Sequence, residues 1–435
     1  MFPPTGGAGI QRNVKFIKYL SRMGWQITIL TPKNPSVPTK DASFTTDIPS
    51  NVNVEYTCML EPSYSIKKRV RSTLQEKQEN KLKKIFRGGF RAAKMMAQSV
   101  LLPDIQILWA LSSFPAALSL IKRKKFNVIF VSGPPFSSLV FASWLSRITG
   151  VPYVADFRDE WVDFIDIYYD SHKKIFGKGV VRRMEYSVVK HASSITMATP
   201  SYVKNLRNKY PIASGKTFEI TNGFDIEDYP PHFFEDVTPT QDRLRITYFG
   251  SVINVNTARY FLEACRRLLL EKPKYKEQIE IHFVGRIDDD EDGYINKYIV
   301  EVPIVRHGYV EHRKMIEMMK LSDVLLALVD DIPGAERMIS GKIFEYLYSR
   351  KPVLAVVPQG GEVDHIVRTS GCGISCAPRD FVKIATAVES MILKWEQGIL
   401  HKEIKSNENF IQSFSREILA SKLSKILLEA YKNTS

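Results

Sequence analysis

The pattern of apolar and polar positions predicts short buried strands that alternate with amphipathic helices in both halves of the chain. Runs rich in β-branched residues predict the strands, and apolar residues three and four apart predict the helices between them. The first half contains predicted strands at 26–31, 128–132, 153–156 and 194–198 and predicted helices at 10–23, 137–149 and 179–191. The second half contains predicted strands at 245–249, 280–284, 304–307, 323–329, 353–357 and 373–375 and predicted helices at 256–270, 313–321, 341–349 and 381–395. Such alternation is typical of parallel sheets, so we expect two doubly wound α/β domains.

A segment rich in proline and acidic residues separates the two alternations and predicts a linker at 217–242. The domains on either side of this linker are 1–216 and 243–400. A last helical run follows the second sheet, and we expect 401–435 to pack back on the N-terminal domain. Ligands bind doubly wound domains at the carboxyl ends of the strands, and two facing domains would form a cleft there. The loops after the strands therefore hold the candidate functional residues.

Charge is distributed unevenly along the chain. Of its 435 residues 44% are hydrophobic and 25% charged, which excludes a disordered or fibrous protein. The formal net charge is +14; residues 1–216 carry 33 Lys and Arg against 14 Asp and Glu, whereas residues 217–435 carry 28 against 33. This difference indicates that the two domains have different partners and that the first partner is anionic.

The basic excess is greatest at 67–94, where eleven Lys and Arg accompany two Glu and apolar residues recur at helical spacing. Such a segment can lie on an anionic membrane surface. The alternative is a solvated helix that docks on its own domain. Charge alone would also fit nucleic acid, but the chain contains no recognisable nucleic-acid-binding module. We therefore expect a membrane surface rather than nucleic acid as the anionic partner.

Four cysteines are too few for a disulfide scaffold. Cys372 and Cys376 have C-x3-C spacing, but no second pair of ligands follows, so we expect buried thiols and no metal site. No apolar run reaches the roughly 18 residues that a membrane-spanning helix needs. No secretory signal opens the sequence, and we expect a cytoplasmic protein that can associate with the inner face of the plasma membrane.

A glycine-rich loop precedes the first predicted helix and contains Gly6, Gly7 and Gly9. Glycines at the start of a helix let backbone N–H groups approach an anionic ligand. Arg12 adds a positive charge in the first turn, and we place it on the acceptor side of the site. Simple turn formation is the alternative role of these glycines.

Two more loops follow predicted strands of the first half. Gly133 and Pro134 form a rigid turn that we also assign to the acceptor side. Asp156, Arg158 and Asp159 end the next strand, and a carboxylate there can orient or deprotonate a hydroxyl. We take these three as catalytic candidates. The alternative is a local ion pair between Arg158 and an aspartate.

The second half places glycines and charges at the ends of its strands. Gly250 and Ser251 follow one strand, and glycine permits close approach of the backbone to a ligand. Arg286 follows another strand and can hold a diphosphate by bidentate bonds. Lys342 and Glu345 are three residues apart on one helix face. Lys342 can bind phosphate and Glu345 can accept hydrogen bonds from ribose hydroxyls; an ordinary ion pair is the alternative.

Together these motifs resemble the family 4 glycosyltransferases, and most closely their bacterial and archaeal subgroup that builds surface polysaccharides. The resemblance covers nearly the whole chain in the right order. It rests on FPPTGGAGIQR, SGPP, DFRDEW, the turn Asn222-Gly223-Phe224-Asp225 and SGKIFEYL-x3-KPVLA. It implies the GT-B fold, in which two Rossmann-like domains face a cleft. It also implies transfer of a sugar from a nucleotide-sugar, with retention of configuration and without a metal ion or other cofactor.

The resemblance also implies where the substrates bind. The C-terminal domain would hold the donor and the basic N-terminal domain a glycan or lipid-linked acceptor. Glu345 would bind the donor ribose, Lys342 the diphosphate, and His307 and Gly308 would lie near the base. The remaining donor-binding residues would be Gly250, Ser251 and Arg286, with Gly6, Gly7 and Gly9 facing the donor phosphates.

Three departures from the family pattern limit this assignment. Many members have two glutamates separated by seven residues, but here Arg337 stands eight positions before Glu345 and Glu336 nine before it. The strand that often ends in a functional histidine has Arg158 at about that position. Members also carry an apolar strand before the first loop, which is central in a doubly wound sheet. Because this sequence starts at Met1-Phe2-Pro3, we expect that strand to be missing and the natural chain to start upstream.

Two other functions remain open at this point. A catalytically impaired GT-B protein that acts as a membrane-surface partner would bind lipid but not nucleotide-sugar. A nucleotide-sugar epimerase of similar fold would turn over donor without an acceptor.

Overall fold

A computed structural model describes residues 2–3, 5–6, 8–33, 35, 41, 43–58, 102–163, 178–231, 233–234 and 242–433. The chain divides into two compact units. Unit 1 comprises residues up to Ile220 together with those from Ala420 onward, and unit 2 comprises Thr221–Leu419. The predicted basic segment 67–94 and Gly7 lie outside the described residues.

Unit 1 contains two groups of parallel strands. Its strands are β1 (Thr28–Pro32), β2 (Asn53–Thr57), β3 (Ile129–Gly133), β4 (Tyr153–Phe157), β5 (Ser194–Met197) and β6 (Thr217–Glu219). β1 pairs with β2, and β3, β4, β5 and β6 form a separate sheet in that order. Every residue of β4 is buried, as expected for a strand of a parallel sheet covered on both faces.

Amphipathic helices accompany these strands. They are α1 (Ala8–Arg22), α2 (Ile107–Lys124), α3 (Phe136–Thr149), α4 (Lys178–His191) and α5 (Pro200–Lys209). α2 and α3 pack together through an apolar cluster that includes Ala110, Phe141 and Leu145. The Trp25 indole N–H donates a hydrogen bond to Ser424 Oγ at 2.9 Å, which joins the C-terminal residues to this unit.

Unit 2 is built on one six-stranded parallel sheet. Its strands are β7 (Leu244–Phe249), β8 (Ile279–Val284), β9 (Ile304–Gly308), β10 (Val324–Leu328), β11 (Val353–Val356) and β12 (Gly373–Cys376). Their order is β12-β11-β10-β7-β8-β9, so the direction of winding reverses between β7 and β10. In open parallel sheets this point of reversal is where ligands bind.

The helices of unit 2 cover both faces of the sheet. They are α6 (Arg259–Glu271), α7 (Asp289–Tyr298), α8 (His312–Lys320), α9 (Lys342–Tyr348), α10 (Glu362–Ser370), α11 (Phe381–Glu396) and α12 (Glu408–Gln412), followed by α13 (Arg416–Lys432), which runs into unit 1. α6 buries Phe261, Cys265 and Leu268, and α11 buries Val388 and Ile392 in the same apolar core. In each helix, apolar residues recur at intervals of three and four, so they form one stripe that faces the sheet.

The structure confirms the α/β class and the strands predicted in both halves. It also contains elements that the pattern did not predict: β2, β6, α2, α5, α7, α10 and a break between α12 and α13. β6 lies at the start of the predicted linker 217–242, because Thr217–Glu219 pair with β5. The change from unit 1 to unit 2 comes directly after this strand, at Ile220.

Candidate active site

Three glycines meet at the carboxyl ends of adjacent strands in unit 2. The Gly250 N–H donates to Val284 O at 2.9 Å, and the Gly285 N–H donates to Gly308 O at 2.7 Å. Gly285 has φ +142°, and a Cβ at this position would overlap the carbonyl oxygen of Gly250. Only glycine fits such a close approach of two backbones. The ends of β7, β8 and β9 therefore present a surface of main-chain atoms, which we call the glycine surface (Gly250, Gly285 and Gly308).

Polar side chains directly follow two of these glycines. Ser251 comes after Gly250, Arg286 comes after Gly285, and both are exposed. The Arg286 carbonyl accepts a hydrogen bond from the Val252 N–H at 2.8 Å, so its backbone is fixed while its guanidinium reaches solvent. A guanidinium beside exposed main chain can bind a phosphate by bidentate bonds.

Glu345 on α9 is held between two basic side chains. Lys342 Nζ lies 3.0 Å from Glu345 Oε2, and His312 Nε2 lies 2.9 Å from Glu345 Oε1. The Glu345 side chain is only 3% exposed, and its backbone carbonyl accepts a hydrogen bond from Tyr229 Oη at 3.3 Å. His312 also lies 3.9 Å from Asp228 Oδ2 through its Nδ1 atom. The predicted Lys342–Glu345 pair is thus formed, and both Glu345 oxygens have fixed partners.

A buried tyrosine joins α9 to the glycine surface. The Phe249 N–H donates to Tyr346 Oη at 2.9 Å, and Tyr346 Oη donates back to Phe249 O at 3.3 Å. Burial raises the pKa of Tyr346 well above its usual value, so its hydroxyl stays protonated and can donate. Because Tyr346 follows Glu345 and Phe249 precedes Gly250, this link fixes the carboxylate relative to the glycine surface.

His307 belongs to a chain of polar groups on β8 and β9. His307 Nε2 lies 2.9 Å from His282 Nδ1, and His282 Nε2 lies 2.6 Å from Glu280 Oε2. Burial lowers the pKa of both histidines, which favours neutral rings near pH 7. His282 then donates to Glu280 and accepts from His307. The His307 ring is therefore directed along the sheet towards His282, whereas Gly308 lies on the glycine surface.

The position where the family pattern expects a first glutamate contains a local ion pair. Arg337 Nη1 lies 2.9 Å from Glu336 Oε1. Glu336 Oε2 accepts a hydrogen bond from the Gly334 N–H at 2.8 Å. Both contacts lie within one turn, so they hold the Glu336 side chain against its own loop.

In unit 1, two predicted site residues form part of the core. Arg12 Nε and Nη2 lie 3.0 Å and 2.7 Å from the two oxygens of Asp156, and neither side chain has exposed surface. Asp156 also accepts hydrogen bonds at 2.7 Å from Ser132 and from Thr196. Burial alone would raise the pKa of Asp156, but the Arg12 charge and these bonds together lower it.

These contacts favour a structural role for two predicted site residues. A fully enclosed Arg12 does not reach an acceptor, and a saturated Asp156 has no lone pair with which to take a proton. We therefore assign both residues to the scaffold of unit 1, where they join α1 to β4. The signal in the sequence was a charged residue inside an otherwise apolar strand, Tyr153–Phe157.

The other predicted residues of unit 1 do meet. The Arg158 N–H donates to Gly133 O at 2.9 Å, and its guanidinium also donates to Pro134 O. A Cβ at Gly9 would overlap that guanidinium, so Arg158 packs directly on the first turn of α1. Asp159 is half-buried, and burial raises its pKa although the Arg158 charge opposes the shift. The raised pKa makes the Asp159 carboxylate a stronger base than an ordinary aspartate.

Two negative findings concern the described residues alone. No group of three His, Cys, Asp or Glu side chains in this part of the chain is arranged to hold a metal ion. None of the helices within the described ranges is long and apolar enough to span a membrane. Cys372 and Cys376 are buried thiols, as predicted, and Cys265 is buried as well.

Solved structures with the same fold are known. A sucrose-phosphate synthase from Thermosynechococcus elongatus matches with TM-score 0.64 and 12% identity over 98% of this chain and 94% of its own. The HepE protein of Anabaena, solved in complex with UDP, matches with a TM-score of 0.60 and 13% identity, over 97% of this chain and 96% of its own. WaaG, a glycosyltransferase involved in lipopolysaccharide biosynthesis, matches with a TM-score of 0.60 and 10% identity, over 98% of this chain and 97% of its own. At these identities the likeness concerns the fold. No curated protein sequence matches the chain.

Two family models match the sequence itself. Residues 93–228 match the model described as Glycosyltransferase Family 4, and residues 243–394 match the model described as Glycosyl transferases group 1. Together they cover more than half of the chain and include the glycine surface, Lys342 and Glu345. The chain therefore belongs to the family 4 glycosyltransferases and has the GT-B fold.

Proposed function

We propose that this glycosyltransferase takes its sugar from a nucleotide-sugar bound by unit 2. The observation that carries the proposal is the glycine surface with exposed Arg286 beside it and Glu345 fixed next to it by Tyr346. These parts lie at the carboxyl ends of β7, β8 and β9, next to the point where the sheet reverses its winding, which is where such sheets bind nucleotides.

Each part of this site suits one part of the donor. The glycine surface lets the diphosphate approach the main chain closely, Arg286 binds it, and Lys342 adds a second positive charge. Glu345 accepts hydrogen bonds from the ribose hydroxyls, and His312 keeps its carboxylate in position. The UDP bound to the HepE protein supports a uridine nucleotide as the first donor to test.

We assign the acceptor to unit 1. Arg158 and Asp159 are half-buried at the end of β4, where a carboxyl group with a raised pKa can bind a sugar hydroxyl. WaaG is involved in lipopolysaccharide biosynthesis, which supports a surface glycan as acceptor. The structure of S. aureus TarM in complex with α-GlcNAc-glycerol and UDP supports an acceptor that carries a sugar. The basic excess of residues 1–216 supports a lipid-linked acceptor at an anionic membrane face.

The reaction requires charge stabilisation more than covalent catalysis. The bond between C1 of the sugar and the diphosphate oxygen breaks, and a bond from C1 to the acceptor oxygen forms. Arg286 and Lys342 stabilise the negative charge that develops on the leaving diphosphate. The acceptor proton passes to a diphosphate oxygen on the same face of the sugar, which gives retention of configuration without a metal ion.

Removing the Arg286 guanidinium tests the donor site. Arg286→Ala should weaken UDP-sugar binding about 10- to 100-fold, because a charge-assisted hydrogen bond contributes about 1.5–3 kcal/mol. The melting temperature of the ligand-free protein should not change, since Arg286 is exposed. Arg267→Ala, an exposed arginine of α6, is the matched control and should bind donor normally.

The assay is thermal stabilisation by a panel of nucleotide-sugars, followed by turnover with and without glycan acceptors. Stabilisation that Arg286→Ala does not reduce would contradict the donor site. Turnover of donor to an isomeric nucleotide-sugar without acceptor would identify an epimerase. Binding to anionic liposomes with no response to any nucleotide-sugar would identify a catalytically impaired partner protein.

A further inference from the structure

The register between β8 and β9 changes just before the two strands reach the glycine surface. They pair residue by residue up to Phe283, but the next residue, Val284, is opposite Gly308 rather than His307. His307 is therefore an extra residue of β9, which makes a β-bulge. Bulges redirect side chains and are frequent next to active sites. This bulge brings the Gly308 carbonyl to the Gly285 N–H, which donates to it at 2.7 Å.

A chain of three polar side chains holds this bulge. His307 Nε2 lies 2.9 Å from His282 Nδ1, and His282 Nε2 lies 2.6 Å from Glu280 Oε2. The two imidazole rings also stack, with centroids 5.0 Å apart and an angle of 28° between their planes. The His282 side chain is only 7% exposed, whereas His307 is exposed. The extra residue of β9 is thus fixed through its side chain to a buried residue of β8.

Packing alone does not account for a histidine at position 282. The other buried residues of β8 are apolar, and a polar group in such a strand is costly unless it is hydrogen-bonded. An apolar side chain of similar size would fill the space without that cost. It could not, however, join Glu280 to His307, which requires two ring nitrogens that point in different directions. The role that the histidine adds is to direct the bulge.

The charges around the two rings favour their neutral forms near pH 7. Burial lowers the pKa of His282 and of His307, the positive charge of Arg245 on β7 lowers it further, and Glu280 acts in the opposite direction. Burial would raise the pKa of Glu280, but the hydrogen bond from His282 and the positive charges nearby lower it, so this carboxylate stays ionised. Arg306, next to His307, is paired with an aspartate of α7 at 3.1 Å.

We propose that Glu280 and His282 are positioning residues for the nucleotide: they hold the bulge at His307, and the bulge holds Gly308 in the glycine surface. This inference rests on the donor site proposed above and adds to it two residues that act through another. Without the chain, His307 can return to regular pairing with β8, which would withdraw the Gly308 carbonyl from Gly285. Protonation of both rings has the same effect, because two imidazolium rings offer each other no acceptor and repel.

Hydrogen exchange at the Gly285 amide tests the first step without any ligand. His282→Phe keeps a ring but removes both hydrogen bonds, so this amide should exchange at least tenfold faster than in the parent chain. The Gly250 amide, which donates to Val284 O at 2.9 Å, is the internal reference and should keep its rate. His282→Asn places an acceptor oxygen near the former position of Nδ1 and should restore slow exchange. His401→Phe, the same change at another half-buried histidine of unit 2, should have no effect.

Calorimetric titration with UDP tests the second step. At about pH 7.5, His282→Phe should weaken UDP binding about three- to tenfold, the effect of one lost hydrogen bond, and His282→Asn should restore most of the affinity. In the parent chain the affinity should be constant from about pH 8 to about pH 7 and should fall below about pH 6, as the rings take up protons.

Two charge variants should move this acid fall in opposite directions. Glu280→Gln keeps an acceptor for His282 but loses the negative charge that favours protonation of the rings, so the fall should move to lower pH. Arg245→Met loses a positive charge that opposes protonation, so the fall should move to higher pH. A side chain that served packing alone would produce neither shift.

The outcomes separate the role of this chain from the donor site itself. Unchanged exchange of the Gly285 amide in His282→Phe would overturn the role of the chain, and so would an acid fall that Glu280→Gln and Arg245→Met move in the same direction. A parent chain that binds neither UDP nor any nucleotide-sugar would instead overturn the donor site, and with it the link from the bulge to the nucleotide.

Discussion

Removing the buried carboxylate of Asp156 should lower the free energy of unfolding of unit 1 by about 3–5 kcal/mol, the usual cost of leaving the partner of a buried ion pair uncompensated. Arg12 has no exposed surface and loses two hydrogen bonds of 3.0 Å and 2.7 Å in Asp156→Ala. Ser132 and Thr196 each lose an acceptor. Asp156→Asn keeps one acceptor oxygen but not the charge, and its cost should be smaller.

Urea denaturation followed by tryptophan fluorescence measures this loss. Trp161 is fully buried and stacks on Phe136 with ring centroids 4.9 Å apart, so its emission reports on the packing of unit 1. For a domain of this size, 1 kcal/mol corresponds to about 2–4 °C in melting temperature, so Asp156→Ala should melt about 6–20 °C below the parent chain. The double variant with Arg12→Met should cost less than the sum of the two single variants.

An exposed ion pair provides the control. Arg243 and Glu277 lie 3.0 Å apart with side chains 42% and 77% exposed. Arg243→Met should change the free energy of unfolding by less than about 1 kcal/mol. Equal effects of Arg243→Met and Asp156→Ala would refute the argument from burial.

The pH dependence of Asp156→Ala has a defined sign. Asp156 has a lowered pKa in the folded state, so its stabilising effect is complete above the unfolded value of about 3.9 and disappears as pH falls through the folded value. The stability difference between the parent chain and Asp156→Ala should therefore be constant from neutral pH to about pH 5 and should narrow in more acidic solution. A stability difference between the two proteins that grows below pH 4 would contradict a charged Asp156 in the folded state.

Two further predictions concern unit 2. Gly285→Ala should abolish binding of nucleotide-sugar and lower the melting temperature, because the new Cβ overlaps the Gly250 carbonyl. Calorimetric titration measures the binding, and thermal melting measures the stability. Normal binding of nucleotide-sugar would contradict the role of the glycine surface. His312→Ala should raise the KM for donor several-fold with a smaller change in kcat, because Glu345 loses the partner that positions its Oε1 atom. His312→Gln should restore part of the affinity for donor. Steady-state kinetics against donor concentration test this, and an effect on kcat alone would assign His312 another role.

Much of the fold followed from local sequence pattern. The strands of unit 2 were predicted because five or six apolar residues in a row, as in Val324–Leu328, have few other structures available. The pattern does not predict α2, because Pro115 interrupts its helical spacing, although the helix continues through this proline. The pattern does not predict α7 either, because the acidic residues that follow Asp288 are typical of a loop. In the structure they form the first turn of the helix, where negative charges interact favourably with the helix dipole.

The candidate site was predictable only where its parts are close in sequence. Lys342 and Glu345 are three residues apart, and this spacing predicts the pair. His312 comes from another helix and has no motif of its own. The sequence alone does not pair Asp156 with Arg12, because the two residues are 144 positions apart. A charge inside a buried strand indicates a partner, but the sequence does not say whether that partner is protein or substrate.

The glycine surface has a consequence for how such a site can evolve. In the proposed donor site the surface offered to the ligand is main chain, and the positive φ angles at 250, 285 and 308 favour glycine there. Substitutions around it can therefore accumulate without changing what the main chain offers to a ligand, provided that the glycines remain. A deep mutational scan should accordingly find a narrow intolerant core of glycines inside a permissive border, and ligand preference would diverge through border residues such as Ser251 and Arg286.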